Sequence, residues 1–327
     1  MSSKLVSIIV VNLNREAFLK ECLASVQAQD CRNWELIVVD NGSTDGSRAF
    51  LREYPHPIKT VFLERNTGFT GGNIAGLRQA DGDFIALVNN DAVLAPDWVS
   101  QHMAAMEANP RAGTTASKII SYRDRERLDC AGDGMTTSAR GYKLGEGHAP
   151  ASRDEPRWVF GASAAAVLYR RRMLDEVGFL DPQFYFNCED TDLGFRAQLM
   201  GWPCLYVPGA VAHHHINASV DLLGGKAVYY WSRNVELVVL KNMPFNLMLR
   251  YFHHRLVHEG AALAKNLSRP GYIYHLLLGK LAVLPLLPHA LRERRRIQGA
   301  RRISSRQLAA ALTPLFSGEF LARKGAA

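Results

Sequence analysis

Apolar residues follow two rhythms along the first third of this chain. Residues 5–13 (LVSIIVVNL) form a continuous, β-branched apolar run, the mark of a strand covered on both faces in a parallel sheet. Phe18, Cys22, Leu23 and Val26 then recur at helical spacing and predict a helix over 15–28. The alternation continues with a strand at 35–39, a short helix at 47–54, a strand at 59–63, a Gly-rich start that turns helical over 68–79, and a strand at 84–88. Strand and helix repeated at this length predict a parallel α/β sheet with right-handed crossovers. Such sheets bind ligands at the carboxyl ends of their strands. Two polar clusters, Asp40-Asn41-Gly42 and Asn89-Asn90-Asp91, stand at such ends.

Beyond about residue 110 the rhythm changes. Residues 118–154 are charged, Gly-rich and weakly periodic, which suits short antiparallel strands and a mobile loop. Residues 158–169 (WVFGASAAAVLY) set small residues between apolar ones, 173–177 reads as a short helix, and 189–200 (EDTDLGFRAQLM) as a helix opened by acids. A strand at 205–207 leads to His213-His214-His215, and helices are expected over 227–241 and 245–267. No internal repeat or low-complexity tract is visible.

With 327 residues, 47% hydrophobic and 21% charged, the composition is that of an ordinary globular protein and excludes disordered, collagen-like and disulfide-scaffold classes. The five cysteines are odd in number and contain no CxxC pair, which suits a reducing compartment and argues against a cysteine-based zinc site. No basic segment followed by an apolar one opens the chain, so a cleaved secretion signal is not expected.

Charge changes the picture at the other end. Residues 241–327 carry 15 Lys/Arg against 3 Asp/Glu, while the other 240 residues carry 24 against 28. Seven arginines fall within 289–306, just after an apolar stretch, 273–291, interrupted by Lys280, Pro285 and Pro288. That stretch barely reaches the roughly 20 residues a membrane span needs and reads as interfacial or re-entrant. Near an anionic bilayer each basic residue contributes about 1 kcal/mol, so the tail suits an anionic membrane surface. A solvated basic helix on its own domain, or a homodimer contact, uses the same residues. No aromatic residues interleave the arginines, so nucleic acid is not an expected partner.

Five motifs then stand in order: VSIIVVNLN, VVDNGSTDGS at 38–47, ERNTGFTGGN at 64–73, VNNDA at 88–92 and EDTDLGFRAQLMGW at 189–202. Together they resemble the inverting family-2 glycosyltransferases, with the rhamnosyltransferase-like branch nearest, over about residues 4–240. The resemblance implies an α/β fold of GT-A type: a mostly parallel, Rossmann-like sheet, a smaller antiparallel acceptor-side region and a C-terminal helical extension. It divides residues 1–240 into a nucleotide-binding half (1–110) and an acceptor-side half (111–240), while charge and hydropathy set apart a basic, apolar, helical and membrane-associating region (241–327). It implies a nucleoside-diphosphate sugar donor, deoxythymidine-diphosphate rhamnose first and uridine-diphosphate sugars next. The implied acceptor is a glycan or lipid-linked one such as a surface-polysaccharide or lipopolysaccharide precursor, met at the inner face of the cell membrane.

The same resemblance carries roles onto matching residues. Asp40 meets the nucleotide, flanked by Val11, Asn12 and Asn14; alone it reads equally as an Asx turn. Asn66, Gly72, Asn73 and Asn90 complete the donor segment. Asn89-Asn90-Asp91 occupies the place of a DxD motif, with Asp91 its one carboxylate for Mg2+ or Mn2+ bridging the donor phosphates. Asp190 is the expected general base and Glu189 its neighbour, raising its pKa or contacting the acceptor. Asp192 reads as a first-turn helix acid. On an extended chain three consecutive histidines cannot point one way, so His213 and His215 are favoured over His214 as metal ligands. Trp158, Gly161 and Ala162 resemble the segment lining the sugar and acceptor cleft. Arg233-Asn234 suits either a phosphate or a solvated helix face. A nucleotidyltransferase would place a basic Gly-rich loop where this chain has NLNREAF, and an inactive glycan-binding or scaffold subunit is the non-enzymatic alternative.

Overall fold

The computed structural model describes residues 4–215 and 225–315, so the last part of the basic tail, 316–327, lies outside the described residues. In chain order the strands are β1 (Val6–Asn12), β2 (Trp34–Asp40), β3 (Lys59–Phe62), β4 (Phe84–Asn89), β5 (Ala92–Leu94) and β6 (Thr114–Ser121), then β7 (Leu128–Cys130), β8 (Asp133–Met135), β9 (Gly141–Lys143), β10 (Arg157–Val159), β11 (Ala166–Arg170) and β12 (Cys204–His214). Helices α1 (Glu16–Gln27), α2 (Ser47–Arg52), α3 (Gly68–Leu77) and α4 (Trp98–Ala108) connect the early strands, with α5 (Arg171–Val177) and α6 (Glu189–Leu199) later. The chain then runs through α7 (Gly225–Asn242), α8 (Phe245–Arg250), α9 (Phe252–Lys265), α10 (Pro270–Leu281), α11 (Leu287–Ala300) and α12 (Ser305–Ala311).

The main sheet has the order β10-β12-β6-β11-β4-β1-β2-β3, with β5 on β12 and β7 on β6. Strands β4, β1, β2 and β3 pair in parallel, and the apolar runs of β4, β1 and β2 suit strands covered on both faces, while β3 (Lys59-Thr60-Val61-Phe62) closes the sheet as its half-exposed edge. β11 is antiparallel to both β4 and β6. Because β2 and β3 lie to one side of β1 and β4 to the other, strand order reverses between β1 and β4, and ligand clefts open at such points. The sheet is sandwiched by two apolar clusters, one around Leu19, Phe84 and Trp98 and the other around Ile9, Leu87 and Tyr206.

Three expectations change. The strand anticipated at 205–207 runs on to His214, so two of the three histidines lie within it. The single helix expected over 245–267 divides at Tyr251 into α8 and α9. The boundary placed after residue 240 falls within the last turn of α7, whose Leu237, Val238 and Val239 join Phe184 and Phe195 of the preceding part in one cluster with Ala290, Ile297 and Leu308 of the tail. The C-terminal helices are therefore packed on the preceding part of the chain through a shared core.

Candidate active site

A cleft of about 300 Å³ opens at the β1/β4 switch point. Val11, Asn41 and Asn66 line one side, Asn90 and Asp91 its floor, and Ala164, Tyr185, Glu189 and Asp190 the other. Asn12, completely buried, holds the strand ends together: its Oδ1 accepts from Asn90 Nδ2 at 2.7 Å and its Nδ2 donates to Ser43 Oγ at 3.3 Å. Asn14 works outside the cleft, its Oδ1 accepting from the Thr44 N–H at 2.6 Å. Asp40 is buried one residue before Asn41, taking Arg48 Nε at 2.7 Å and the Ser43 N–H at 3.0 Å on Oδ1, while its Oδ2 has no partner. Gly72 and Asn73 stand behind the wall, Gly72 against Val11 and Asn73 bonded to the Phe69 carbonyl. Gly68 has a different duty. At φ +77° it lies so close to the Tyr185 carbonyl that any side chain would push the start of α3 away from the segment leading into α6.

Strand pairing explains how the metal candidates meet. β5 follows Asp91 directly and pairs with β12, setting His214 opposite Ala92. His214 Nε2 lies 3.2 Å from Asp91 Oδ1, and its Nδ1 lies 3.0 Å from Asp129 Oδ2. Asp129 in turn is ion-paired with Lys143. Two carboxylates against one buried imidazole hold its pKa up at about 9, against the cost of burial. The Asp91 contact is out of line for a hydrogen bond, so Oδ1 remains a buried oxygen with no hydrogen-bond partner. His213 and His215 point elsewhere, which corrects the earlier assignment. His213 Nδ1 is buried without a partner, and burial with nearby Arg125 pulls its pKa down to about 4. His215 stacks on Tyr122 at 3.7 Å and meets Glu21 at 3.3 Å. Between Val207 and Val211 a bulge in β12 inserts three residues relative to β6, and an odd insertion exchanges the faces of every later side chain.

The donor set present fits a hard cation only in part. Asp91 offers a carboxylate and His214 a nitrogen whose Asp129 partner orients the ring, as ligating histidines need. Among the described residues no group of three or more His, Cys, Asp or Glu is arranged to hold a metal ion by itself. A cation here would take its remaining ligands from a donor diphosphate.

Opposite them, three carboxyls gather at the start of α6. Asp190 Oδ2 accepts from the Ala164 N–H at 3.2 Å and Oδ1 from the Thr191 N–H at 2.7 Å, and burial raises its pKa. Burial and Asp190 push Glu189 up to about 8, and Glu189 Oε2 has no partner. Asp133, whose N–H donates to Gly161 O at 2.9 Å, is pushed up to about 7 by burial and by Asp190. A carboxyl that keeps its proton in the native state loses stability for the fold as pH climbs from its unfolded pKa to its folded one. We therefore expect Glu189→Gln to match the wild type near pH 4 and to exceed it by several kcal/mol, about 3–5, above pH 8. Melting curves at the two pH values check this, and parallel pH trends would contradict it.

The segment leading into α6 is strained. Tyr185, Asn187 and Cys188 all have positive φ, a conformation that costs side chains energy and persists only when its surroundings impose it. Asn234 imposes it, its buried Nδ2 lying 2.7–2.9 Å from the carbonyls of Phe184, Phe186 and Asn187, while Arg233 Nη2 bonds the Gln183 and Phe184 carbonyls. The partners of this pair among the described residues are thus backbone carbonyls of the segment before α6. Gly161 and Ala162 border a small pocket beside Asp190 rather than the main cleft. Trp158 leaves the site altogether: it lies on edge strand β10, 41% exposed, under the Arg111 guanidinium.

The sequence matches the family model described as Glycosyl transferase family 2 over residues 7–178, more than half of the chain. The chain belongs to that family. This glycosyltransferase is 27% identical over 244 residues to the uncharacterized glycosyltransferase YwdF of Bacillus subtilis, covering 73% of the chain and 86% of YwdF. It is 26% identical over 239 residues to an N-acetylglucosaminyl-diphospho-decaprenol L-rhamnosyltransferase of Mycobacterium tuberculosis, covering 64% and 75%. It spans only 25% of another relative, the uncharacterized protein y4gI of Sinorhizobium fredii, at 29% identity over 66% of the chain. Its fold is similar to GalNAc-T7 crystallised with UDP, GalNAc and Mn2+ (TM-score 0.59, 16% identity, 74% and 48% of the two chains). It is also similar to the Pyrobaculum calidifontis mannosyltransferase PcManGT crystallised with GDP-Man and Mn2+ (TM-score 0.57, 17% identity, 91% and 86%). At such identities the likeness is one of fold, and it bears out the GT-A-type architecture.

Proposed function

We propose that this glycosyltransferase moves a sugar from a nucleoside-diphosphate donor, with inversion, onto a hydroxyl of a lipid-linked or surface-polysaccharide precursor. One observation carries the reading: Asp190 and the unsatisfied Asp91 face the same cleft from opposite elements. Asp190, fixed by the Ala164 N–H, takes the proton of the attacking hydroxyl. Asp91 and His214 would hold Mg2+ or Mn2+, which supplies electrophilic neutralisation of the departing diphosphate. Val11, Asn41 and Asn66 lie where the nucleoside would bind, with Asp40 behind them offering its free Oδ2. The M. tuberculosis relative supports a deoxythymidine-diphosphate rhamnose donor ahead of a uridine-diphosphate sugar. The basic tail supports a peripheral position on the inner face of the cell membrane.

Thermal unfolding against a panel of nucleoside diphosphates, each with and without Mn2+ or Mg2+, tests the reading. One base at 100 times its dissociation constant should add about 2.7 kcal/mol of stability, and only with the cation present. A flat panel would overturn it.

A further inference from the structure

Helix α9 is built with its polarity reversed. The side of α9 turned toward the body of the protein is polar. His254 meets Thr137 Oγ1 at 2.7 Å, His258 meets Ser138 Oγ at 2.9 Å, Arg255 pairs with Glu236 at 2.7 Å, and Glu259 pairs with Arg140 at 2.7 Å. The opposite stripe is apolar and open, with Phe252, Leu256 and Val257 along the helix and Leu267 just past it. α10 extends the same kind of surface. Its inner side is committed to α7, where Ser232 Oγ donates to the Leu276 carbonyl at 2.8 Å and Gly279 lies against the Tyr229 carbonyl. Its outer side presents Tyr274, Leu277, Leu278 and Leu281, the last 61% exposed. Of the fourteen exposed large apolar side chains among the described residues, twelve lie within 245–291. So concentrated an apolar surface marks a binding face.

Charge identifies what binds. Among the described residues from 245 onward the carboxylates are Glu259, paired inward with Arg140 and Lys280, and Glu293, paired with Arg296. The exposed Arg250, Lys265, Arg269, Arg292 and Arg295 around the stripe are all cationic. A second copy docked by two-fold symmetry would set cation against cation with no acid to meet them. We infer that α9 and α10 form a platform that lies in the interface of an anionic lipid bilayer, the apolar stripe entering the headgroup–acyl boundary and the rim cations meeting phosphate. Residues Pro270–Ala300 have the length and composition of a membrane span. One side of that stretch is packed on α7, and it divides into α10 and α11 with a short 3-10 turn at Leu284–Leu286, so it lies on the bilayer rather than crossing it. The inference rests on the membrane part of the proposed function and names its surface. Through Thr137, Ser138 and Arg140, α9 also grips the turn that follows β8, the strand whose Asp133 lies beside Asp190.

Flotation of the full chain with vesicles tests it, using phosphatidylcholine alone and equal parts phosphatidylcholine and phosphatidylglycerol. Wild-type protein should float with the anionic vesicles and lose binding as salt rises. Leu256→Glu, Leu277→Glu and Leu281→Glu should each weaken partitioning by about tenfold or more, with melting temperatures unchanged because all three side chains are exposed. Unchanged flotation of the triple variant would overturn the inference, as would a wild-type dimer that the triple variant turns monomeric in light scattering. The nucleoside-diphosphate melting shift on the same samples should be identical in wild type and variants. Its absence in both would sink the glycosyl-transfer reading while leaving the vesicle result to stand.

Discussion

Replacing Asp190 by Asn should lower kcat by about 10²- to 10⁴-fold, the range a positioned general base contributes, and leave donor binding unchanged. The separation of the two effects follows from the geometry. Asn keeps one oxygen, enough for the Ala164 N–H though not also for the Thr191 N–H, so the entrance to α6 retains one of its two backbone anchors on this side chain. Asp91, His214 and the nucleoside side of the cleft lie on other elements and are untouched. What Asn lacks is the ability to take a proton. The base works only when ionised, so wild-type kcat should fall as pH drops through the titration of the carboxyl cluster, which lies above the ordinary carboxylate range because burial disfavours the charged forms. In Asp190→Asn that acid limb should vanish. Transfer retained within tenfold of wild type would place the base elsewhere, with Glu189 the first alternative.

The parallel region from β1 to β4 was legible because one physical rule governs it. Strands buried on both faces must be continuously apolar, so each polar cluster that ends a run marks a strand terminus, and Asn12, Asp40 and Asn89 stand at those ends in the fold. The region from β7 to β9 obeys no such rule. Asp129, Asp133 and Lys143 sit on strands of three residues, too short to show a period, inside a stretch that reads as loop. The choice of His214 over its neighbours depends on a bulge between Val207 and Val211, and a register slip leaves no trace in local composition. Asn234 was ambiguous for a different reason. Its partners are backbone carbonyls fifty residues away, and carbonyls belong to every residue alike. The polar face of α9 illustrates the same limit, since spacing shows that a helix is two-sided and not which side meets the protein.

Lys241→Met should destabilise the fold by about 3–5 kcal/mol at neutral pH, the cost of leaving buried carboxylates without their counter-charge. Asp192 was read as a first-turn helix acid, and the fold gives it heavier duty. Completely buried, it takes Arg196 Nε at 2.9 Å, Lys241 Nζ at 3.0 Å and Asn242 Nδ2 at 2.8 Å. Lys241 also reaches Asp181 at 2.6 Å, and Asp181 accepts His289 of α11 at 2.8 Å. One lysine thus joins the catalytic helix α6, the loop before it, α7 and the tail. These cations outweigh burial, lowering the pKa of Asp192 and taking Asp181 down to about 2. For carboxyls whose folded pKa lies below the unfolded one, stabilisation is complete above the unfolded value near 4 and is lost as pH falls toward the folded value. The penalty of Lys241→Met should accordingly shrink between pH 5 and pH 2, because protonated carboxyls no longer need the ammonium. Pairing it with Asp192→Asn should cost less than the sum of the single changes, since the two groups share one network. Urea midpoints at pH 7 and pH 3 provide the measurement. A loss below about 1 kcal/mol at pH 7 would mean that solvent reaches the ion pair and that the tail is held by its apolar contacts alone.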